Sequence, residues 1–333
     1  MKILIAPLNW GLGHATRCVP LIERYRKEGH EVILGGDGES LLWLKRRFPT
    51  LRLESLASLN VRYSATRSQF LALLCQLPQF VRFVREDRRR LAELQAKYHF
   101  DLVIADNRFG LSLPPAPSAA QGVRDDSPMT VYLTHQLQIR LPRFWRWAEP
   151  LARKVHASFY SRFDEVWVPD EEDLAKSLAG WLSHPRIRPQ NVRYMGPLSR
   201  FSSLDNQEPV APLEKGAEGV FPIVALLSGP EPQRSLFEQF VIRRYEGCGE
   251  RVLIVRGKIS GPQTATTHLN ITLVPRLEDE PLRQALLNCR KIIARSCYST
   301  IMDLSALGLL YKAELIPTPG QSEQEYLAAY LKR

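Results

Sequence analysis

The chain has 333 residues, of which 44% are hydrophobic and 24% charged; that composition suits about two globular domains and excludes disordered and fibrous proteins. No apolar run approaches the ~18 residues of a bilayer span and a lone Lys2 makes a poor signal-peptide start, so a cytosolic chain is expected, while Cys18, Cys75, Cys248, Cys289 and Cys297 form no CxxC and argue against a disulfide framework or a zinc site. The formal charge of +10 is carried by residues 1–200, with 30 Lys and Arg against 20 Asp and Glu, because residues 201–333 hold 15 of each; such a basic surface attracts nucleic acid, anionic lipid or a phosphorylated small molecule.

The opening KILIAPL reads as a buried strand, NWGLGH as a glycine turn, and ATRCVPLIERYRKEGH as a helix, with Val19, Ile22 and Tyr25 at helical spacing. EVILGG (Glu31 to Gly36), DLVIADN (Asp101 to Asn107), TVYLTHQ (Thr130 to Gln136) and EVWVPD (Glu165 to Asp170) repeat the strand-then-loop grammar. Phe70 to Gln95, with Phe80, Phe83 and five arginines (Arg82, Arg85, Arg88, Arg89, Arg90), reads as a long basic amphipathic helix or helix pair. The proline-rich Leu113 to Pro128 is expected to be an exposed loop. A polar, proline-containing linker at 202–219 then separates an N-terminal domain at 1–201 from a C-terminal domain at 220–333. In the second domain FPIVALLSG, RVLIVRG, NITLVP, KIIARS and KAELIPTPG read as buried strands. Continuous apolar strands alternating with helices predict parallel sheets covered on both faces, hence an α/β chain of two tandem Rossmann-like, doubly wound domains.

Open α/β sheets bind ligands beyond the carboxyl ends of their strands. In the first domain those positions hold Gly11, Gly13 and His14; Asp106, Asn107 and Arg108; His135 and Gln136; and Asp170. GLGHAT has Thr16 where the dinucleotide fingerprint GxGxxG has its last glycine, which disfavours a nicotinamide or flavin enzyme. The turn instead offers an imidazole suited to take a proton from a hydroxyl, with Asp106 as its natural orienting carboxylate. Taken one residue at a time, helix capping explains His14 and Asp106 equally well. In the second domain, Pro230 and Pro232 predict a helix whose positive end faces Ser228 and Gly229, a seat for a diphosphate with Arg234 as an added contact. No GxxxxGK[ST] is present, which argues against a Walker-type triphosphatase. Arg295, Ser296, Ser299, Thr300, Asp303, Glu323 and Gln324 cluster in ARSCYSTIMD and IPTPGQSEQEYLA, where carboxylates and amides suit vicinal sugar hydroxyls; capping again explains Ser299, Thr300 and Asp303 singly.

The glycine–histidine turn, the SG loop, RS-x-YST-x-x-D and P-x-x-GQ-x-EQ together resemble two-domain, GT-B-type glycosyltransferases. The second domain is similar to that of the lipid-linked N-acetylglucosaminyl transferase of peptidoglycan synthesis. NWGLGHATR, DNRFGL, THQL, WVPD, LSHP, GPLSRF, LSGPEPQR and IPTPGQSEQEYLA resemble a bacterial group of glycosyltransferases of that type, over nearly the whole chain. The resemblance implies a hexosyl or N-acetylhexosaminyl transferase that moves a sugar from a nucleotide-diphosphate donor, UDP by resemblance alone, to a hydroxyl of a lipid-linked or cell-surface polysaccharide acceptor. It implies an inverting, single-displacement mechanism without a metal or cofactor. Carried over residue by residue, Ser228, Gly229 and Arg234 would face the diphosphate, with Ser296, Ser299 and Thr300 nearby. Asp303 would bind the ribose, Glu323 and Gln324 the donor sugar or ribose, and the backbone at Arg276 and Leu277 the base. His14 would be the base, oriented by Asp106, and Gly11, Gly13, Asn107, Arg108, His135 and Gln136 would lie on the acceptor side. Cys297 departs from the family's glycine, and the sequence stops at Arg333 where the family continues into a helix that crosses back to the first domain, so a second domain lacking that helix is expected.

The basic helix at Phe70 to Gln95 extends this to a cytoplasmic enzyme of the cell envelope, peripheral at the inner face of the membrane. A nucleotide-sugar epimerase is the nearest rival. A degenerate, non-catalytic protein that binds nucleotide-sugar or nucleic acid is the other, although no RNP-like motif or helix-turn-helix supports nucleic acid as a partner.

Overall fold

The computed structural model describes residues 1–59, 76–112, 127–202, 221–261 and 263–332. The first sheet holds seven parallel strands: β1 (Lys2–Pro7), β2 (Glu31–Gly36), β3 (Arg52–Ser55), β4 (Leu102–Asp106), β5 (Met129–Leu133), β6 (Glu165–Val168) and β7 (Val192–Tyr194), in the order 3-2-1-4-5-6-7. The second sheet holds β8 (Ile223–Leu226), β9 (Val252–Val255), β10 (Thr266–His268), β11 (Ile271–Val274), β12 (Lys291–Arg295) and β13 (Ala313–Ile316), in the order 10-11-9-8-12-13. Only the β10–β11 pair is antiparallel. Inner strands such as β1 and β2 are buried from their second residue onward, as expected of strands covered by helices on both faces.

The helices are α1 (Leu12–Lys27), α2 (Gly38–Arg47), α3 (Leu77–Tyr98), α4 (Glu149–Tyr160), α5 (Gln233–Tyr245), α6 (Asp279–Asn288), α7 (Tyr298–Ala306) and α8 (Ser322–Tyr330). None of the described helices is long and apolar enough to cross a membrane. The two-sheet α/β architecture read from the strands is present. Three short strands escape that reading, and all three, β3, β7 and β10, lie at sheet edges.

The two halves share a core. Ala15, Cys18, Val19 and Ile22 of α1 are buried in one cluster with Tyr298, Ile301 and Met302 of α7 and Leu327 of α8. Helix α8 also reaches the first domain through polar contacts: Tyr326 Oη accepts the Trp181 N–H at 2.8 Å, and Tyr330 Oη donates to the Ser177 carbonyl at 3.1 Å.

The expectation of a lipid-facing helix at Phe70 to Gln95 needs correction. Residues 70–75 lie outside the described residues. In α3, Phe83 is buried, and Phe80 packs against Phe83, Phe109 and Phe159. The aromatic face is spent on the core, and the outward side carries Arg82, Arg85 and Arg89 with Leu77 and Val81 toward its N-terminal end. The linker from 203 onward and the proline-rich loop through 126 lie outside the described residues.

Candidate functional site

Each sheet has one place where the strand order reverses, between β1 and β4 in the first and between β8 and β12 in the second. Loops leaving such a pair in opposite directions open a crevice at the carboxyl edge. Here the two crevices face each other. His14 follows β1 and Asp106 ends β4; Ser228 follows β8 and Ser296 follows β12. A cavity of about 170 Å³ lies between them, lined from the first domain by Gly11, Gly13, His14, Asn107, His135 and Gln136 and from the second by Ser228, Gly229, Ser299, Glu323 and Gln324. The N-termini of α1, α5, α7 and α8 all line it; those of α1, α7 and α8 carry no side-chain cap, while at α5 the Glu231 carboxylate accepts the first-turn Ser235 N–H at 3.2 Å. Uncapped first-turn N–H groups give the cavity a positive lining of oriented dipoles, the usual recipe for holding an anion.

Two glycines make the approach possible. Gly11 caps α1 at φ 85° and faces the Gly229 backbone, the position a Cβ would take being 3.8 Å from Gly229 Cα. At Gly13 a Cβ would collide with Ser299 Oγ and stand 3.0 Å from Ser299 Cβ. Any larger residue there would wedge α1 away from α7.

His14 Nδ1 is 2.9 Å from Asp106 Oδ1, the pairing expected from the sequence. A third member was not anticipated. Arg17, one turn along α1, donates from Nε to Asp106 Oδ2 at 2.6 Å and from Nη2 to Asp106 Oδ1. It also donates from Nη1 to His135 Nδ1 at 3.1 Å. Since a guanidinium can only donate, His135 Nδ1 must accept, so its proton sits on Nε2 and is donated to Glu323 Oε1 at 2.9 Å. The ring of His135 stacks on Tyr298 with centroids 4.3 Å apart. One polar chain thus runs from Asp106 through Arg17 and His135 to Glu323, crossing from the first domain to the second.

These contacts set the charges. Burial favours the neutral carboxyl of Asp106, but Arg17 and His14 outweigh it and hold the pKa down to about 2. For His14, burial pulls the imidazole below its ordinary value; Asp106 opposes this and Arg17 adds to it. The ring is therefore neutral at pH 7. His14 Nδ1 also lies 3.0 Å from Arg17 Nη2; in the tautomer whose Nδ1–H is donated to Asp106, the Nε2 lone pair is left for another partner. Glu323 is kept ionised against burial chiefly by His135.

On the second-domain side, Cys297, two residues past the end of β12, is the N-cap of α7. Its Sγ lies 3.4 Å from Ser228 Oγ and accepts from Gln324 Nε2 at 3.1 Å, while Gln324 Oε1 accepts the Thr318 N–H at 2.8 Å. Burial pushes the Cys297 thiol up to about 11, so it stays protonated. Gln321, unremarked in the sequence beyond its place in the GQ motif, lines the cavity with a buried Oε1 that has no hydrogen-bond partner among the described residues. An acceptor of this kind suits a ligand hydroxyl.

Other expected site residues stand apart. Asp106 is fully buried behind His14, and Ser296 is buried with its Oγ donating to the Gln324 carbonyl at 2.8 Å. Arg234 lines a neighbouring 280 Å³ cavity and donates to Glu231 and to the Gly257 carbonyl. Arg276, Leu277, Thr300 and Asp303 line a 90 Å³ cavity on the far side of Ser299. Both Asp303 oxygens are taken by the end of the first domain, one by Ser199 Oγ at 2.7 Å and one by Arg200 Nε at 3.1 Å.

Arg108 requires correction. It is fully buried and points away from the cavity, donating to Asp87, Asp37 and the Pro7 and Ala57 carbonyls. The preceding Asn107 is held at φ 54°, a left-handed conformation that asparagine tolerates, and this sends Asn107 to the cavity and Arg108 beneath the sheet edge. Asp170 is likewise structural, accepting from Ser177 and Ser183 hydroxyls and from the Leu178 and Ala179 N–H groups. Among the described residues, no three His, Cys, Asp or Glu side chains are placed to hold a metal ion.

No family model matches the chain. It is 24% identical to an uncharacterized glycosyltransferase of Methanosarcina acetivorans, over all of this chain and 83% of that protein. Among solved structures it resembles the calicheamicin glycosyltransferase CalG4 (TM-score 0.59, 12% identity, 99% of this chain and 83% of that one). It also resembles the spinosyn rhamnosyltransferase SpnG (0.57, 16%, 99% and 84%). A Listeria monocytogenes protein described as a UDP-N-acetylglucosamine 2-epimerase aligns as well (0.53, 12%, 100% and 88%). The fold is that of the GT-B glycosyltransferases.

Proposed function

We propose that this chain, which has the GT-B fold, is a glycosyltransferase that moves a sugar from a nucleoside-diphosphate donor to a hydroxyl acceptor by a single inverting displacement. The observation that carries the reading is the convergence of three uncapped helix N-termini, those of α1, α7 and α8, on a cavity that also holds a neutral, carboxylate-oriented imidazole. The helix ends supply the positive potential that a diphosphate needs, both when bound and when it departs with extra charge. His14 takes the proton of the acceptor hydroxyl on Nε2 as the acceptor oxygen forms its bond to the anomeric carbon. The bond from that carbon to the diphosphate breaks at the same time, and its electron pair leaves on the diphosphate oxygen. Asp106 fixes the ring and Arg17 fixes Asp106. Ser228, Gly229 and Ser299 line the diphosphate seat, and Gln321, Glu323 and Gln324 face the donor sugar. Arg276, Leu277 and Asp303 belong to the nucleoside side, which opens only if Asp303 releases Ser199 and Arg200.

The central cavity is smaller than the roughly 300 Å³ at which small-molecule sites begin, so donor binding requires the two domains to part. UDP is the donor nucleotide favoured by resemblance, and a lipid-linked or cell-surface glycan the acceptor. Two kinds of support favour transfer over the epimerase reading: the chain is 24% identical to an uncharacterized glycosyltransferase, and of the two imidazoles lining the cavity His135 has both nitrogens engaged, which leaves His14 alone to take a proton and suits one hydroxyl better than a sugar ring.

Thermal-shift titration with uridine, guanosine and thymidine diphosphates and their sugars tests donor binding, and nucleoside-diphosphate release tests turnover. In His14→Ala, turnover should fall by roughly 10²–10⁴-fold, the usual worth of a general base, with diphosphate affinity within a few-fold of wild type. Unchanged turnover in that variant, or no response to any of the three diphosphates, would overturn the reading.

A further inference from the structure

The stretch from Arg140 to Val155 is built the wrong way round for a soluble surface. Its 3-10 turn, Arg143–Ala148, runs directly into α4. Along this continuous helical path Phe144, Trp147, Leu151 and Val155 are 88%, 75%, 65% and 49% exposed. Their spacing of three, four and four residues puts them on one face. The opposite face is already satisfied, because His156 and Tyr160 are buried. Core packing therefore gives no account of the outer stripe. Interleaved with it are Arg140, Arg143, Arg146, Arg153 and Lys154 against the single acid Glu149. Arg143, Arg146 and Lys154 form no ion pair among the described residues. Behind this ridge, between it and α8, is a cavity of about 1060 Å³ into which Arg140, Arg143, Arg146 and Arg186 face. The Arg140 guanidinium lies over the rings of Tyr326 and Trp181.

We propose that this ridge docks the protein on an anionic bilayer surface, with Phe144, Trp147, Leu151 and Val155 entering the headgroup boundary and the arginines meeting lipid phosphates. The inference goes beyond the transfer reading and does not depend on it. Tryptophan and phenylalanine on one helical face, flanked by arginines on the adjoining one, is the composition of an interfacial helix, in which apolar insertion and attraction to anionic lipid add. The same charge speaks against a second copy as the occupant, because a two-fold contact would set this cationic strip against itself. Placement supports the reading as well. Ser322 Oγ donates to the Arg140 carbonyl, and the next residue, Glu323, holds His135. A headgroup entering the large cavity thus reaches the outer side of the seam that bounds the His14 cavity.

The test is co-sedimentation of the full chain with vesicles of phosphatidylcholine alone and of phosphatidylcholine with phosphatidylglycerol. Binding should favour the anionic vesicles by about tenfold or more, as a few near-surface cations would give, with a blue shift of tryptophan emission. The double variant Phe144→Glu, Trp147→Glu should lose binding, and Arg143→Glu, Arg146→Glu should lose the anionic preference, while both keep the wild-type melting temperature and response to UDP. Arg82→Glu, Arg89→Glu on the outer face of α3 should bind as wild type does. Four results would each overturn the proposal: no binding to either vesicle, equal binding to both, loss of binding only in the α3 variant, or a wild-type dimer in equilibrium sedimentation that the Phe144/Trp147 variant abolishes.

Discussion

Two arginines of the first domain are almost fully buried and both grip aspartates, yet they do opposite work. Arg108 sits between Asp37 and Asp87, with two backbone carbonyls completing its donors, and all of its partners belong to the first domain. It ties the end of β1, the start of α2, the segment after β3 and the middle of α3 into one corner. Arg17 has one aspartate where Arg108 has two, a carboxylate that it shares with the His14 imidazole, and its Nη1 donates to His135. Through His135 it reaches Glu323 in the other domain. A buried cation enclosed by carboxylates holds a fold; one that shares its carboxylate with titratable groups at a cavity holds a site. The sequence positions suggest the reverse, because Arg108 follows a strand end and Arg17 lies within a helix.

The contrast predicts a separation of phenotypes. The largest effect is expected in Arg108→Met, which leaves two buried carboxylates uncompensated; a loss of roughly 3–5 kcal/mol is typical of breaking such a cluster. It should appear as a drop in melting temperature on the order of 10 °C, with any remaining folded protein keeping the wild-type pH profile. A displaced pH profile in folded Arg108→Met would erase the distinction between the two arginines.

Arg17→Gln should instead alter the chemistry. His14 acts as a base in its neutral form, so activity is lost as pH falls through its pKa, which burial and Arg17 together place below the ordinary 6.5. Removing the guanidinium takes away one of the lowering influences and leaves Asp106 free to stabilise the imidazolium. The acid limb of kcat/KM should therefore move to higher pH, with a loss at pH 7 of about tenfold or more, within the range assigned to general-base catalysis. An acid limb that stays in place would show that Arg17 is only structural.

The smallest effect is expected at the diphosphate seat. Cys297 makes no capping bond to α7, and glycine at an N-cap costs only a few tenths of a kcal/mol. Cys297→Gly should remove the thiol from between Ser228 and Gln324 and tighten UDP binding by about two- to fivefold, on the order of 0.5–1 kcal/mol, read by calorimetry. Weaker binding would mean that the thiol holds Gln324 in place rather than crowding the ligand.

Local pattern fixed more of the fold than of the site. Every strand with a continuous apolar run was legible, because burial on both faces demands that run. The three that were missed are edge strands: RLES of β3, VRY of β7 and TTH of β10 are covered on fewer sides and keep polar residues. The aromatic ridge at 144–155 was also illegible. Its helical spacing is the same whether the stripe faces a core or the solvent, and only the packing of His156 and Tyr160 on the other face decides between them.

What the sequence by itself determined was the alternation of buried strands and helices, the glycines at the strand ends, and the placing of His14 and Asp106 at the carboxyl ends of strands, since each of these is imposed by local backbone geometry or by the covering of a sheet. What only the tertiary structure decided was which charged groups meet. Arg17 reaches His135 across 118 positions and His135 reaches Glu323 across 188. Such pairings depend on how two sheets face each other, and a charged side chain carries no local signal of the partner that will neutralise it.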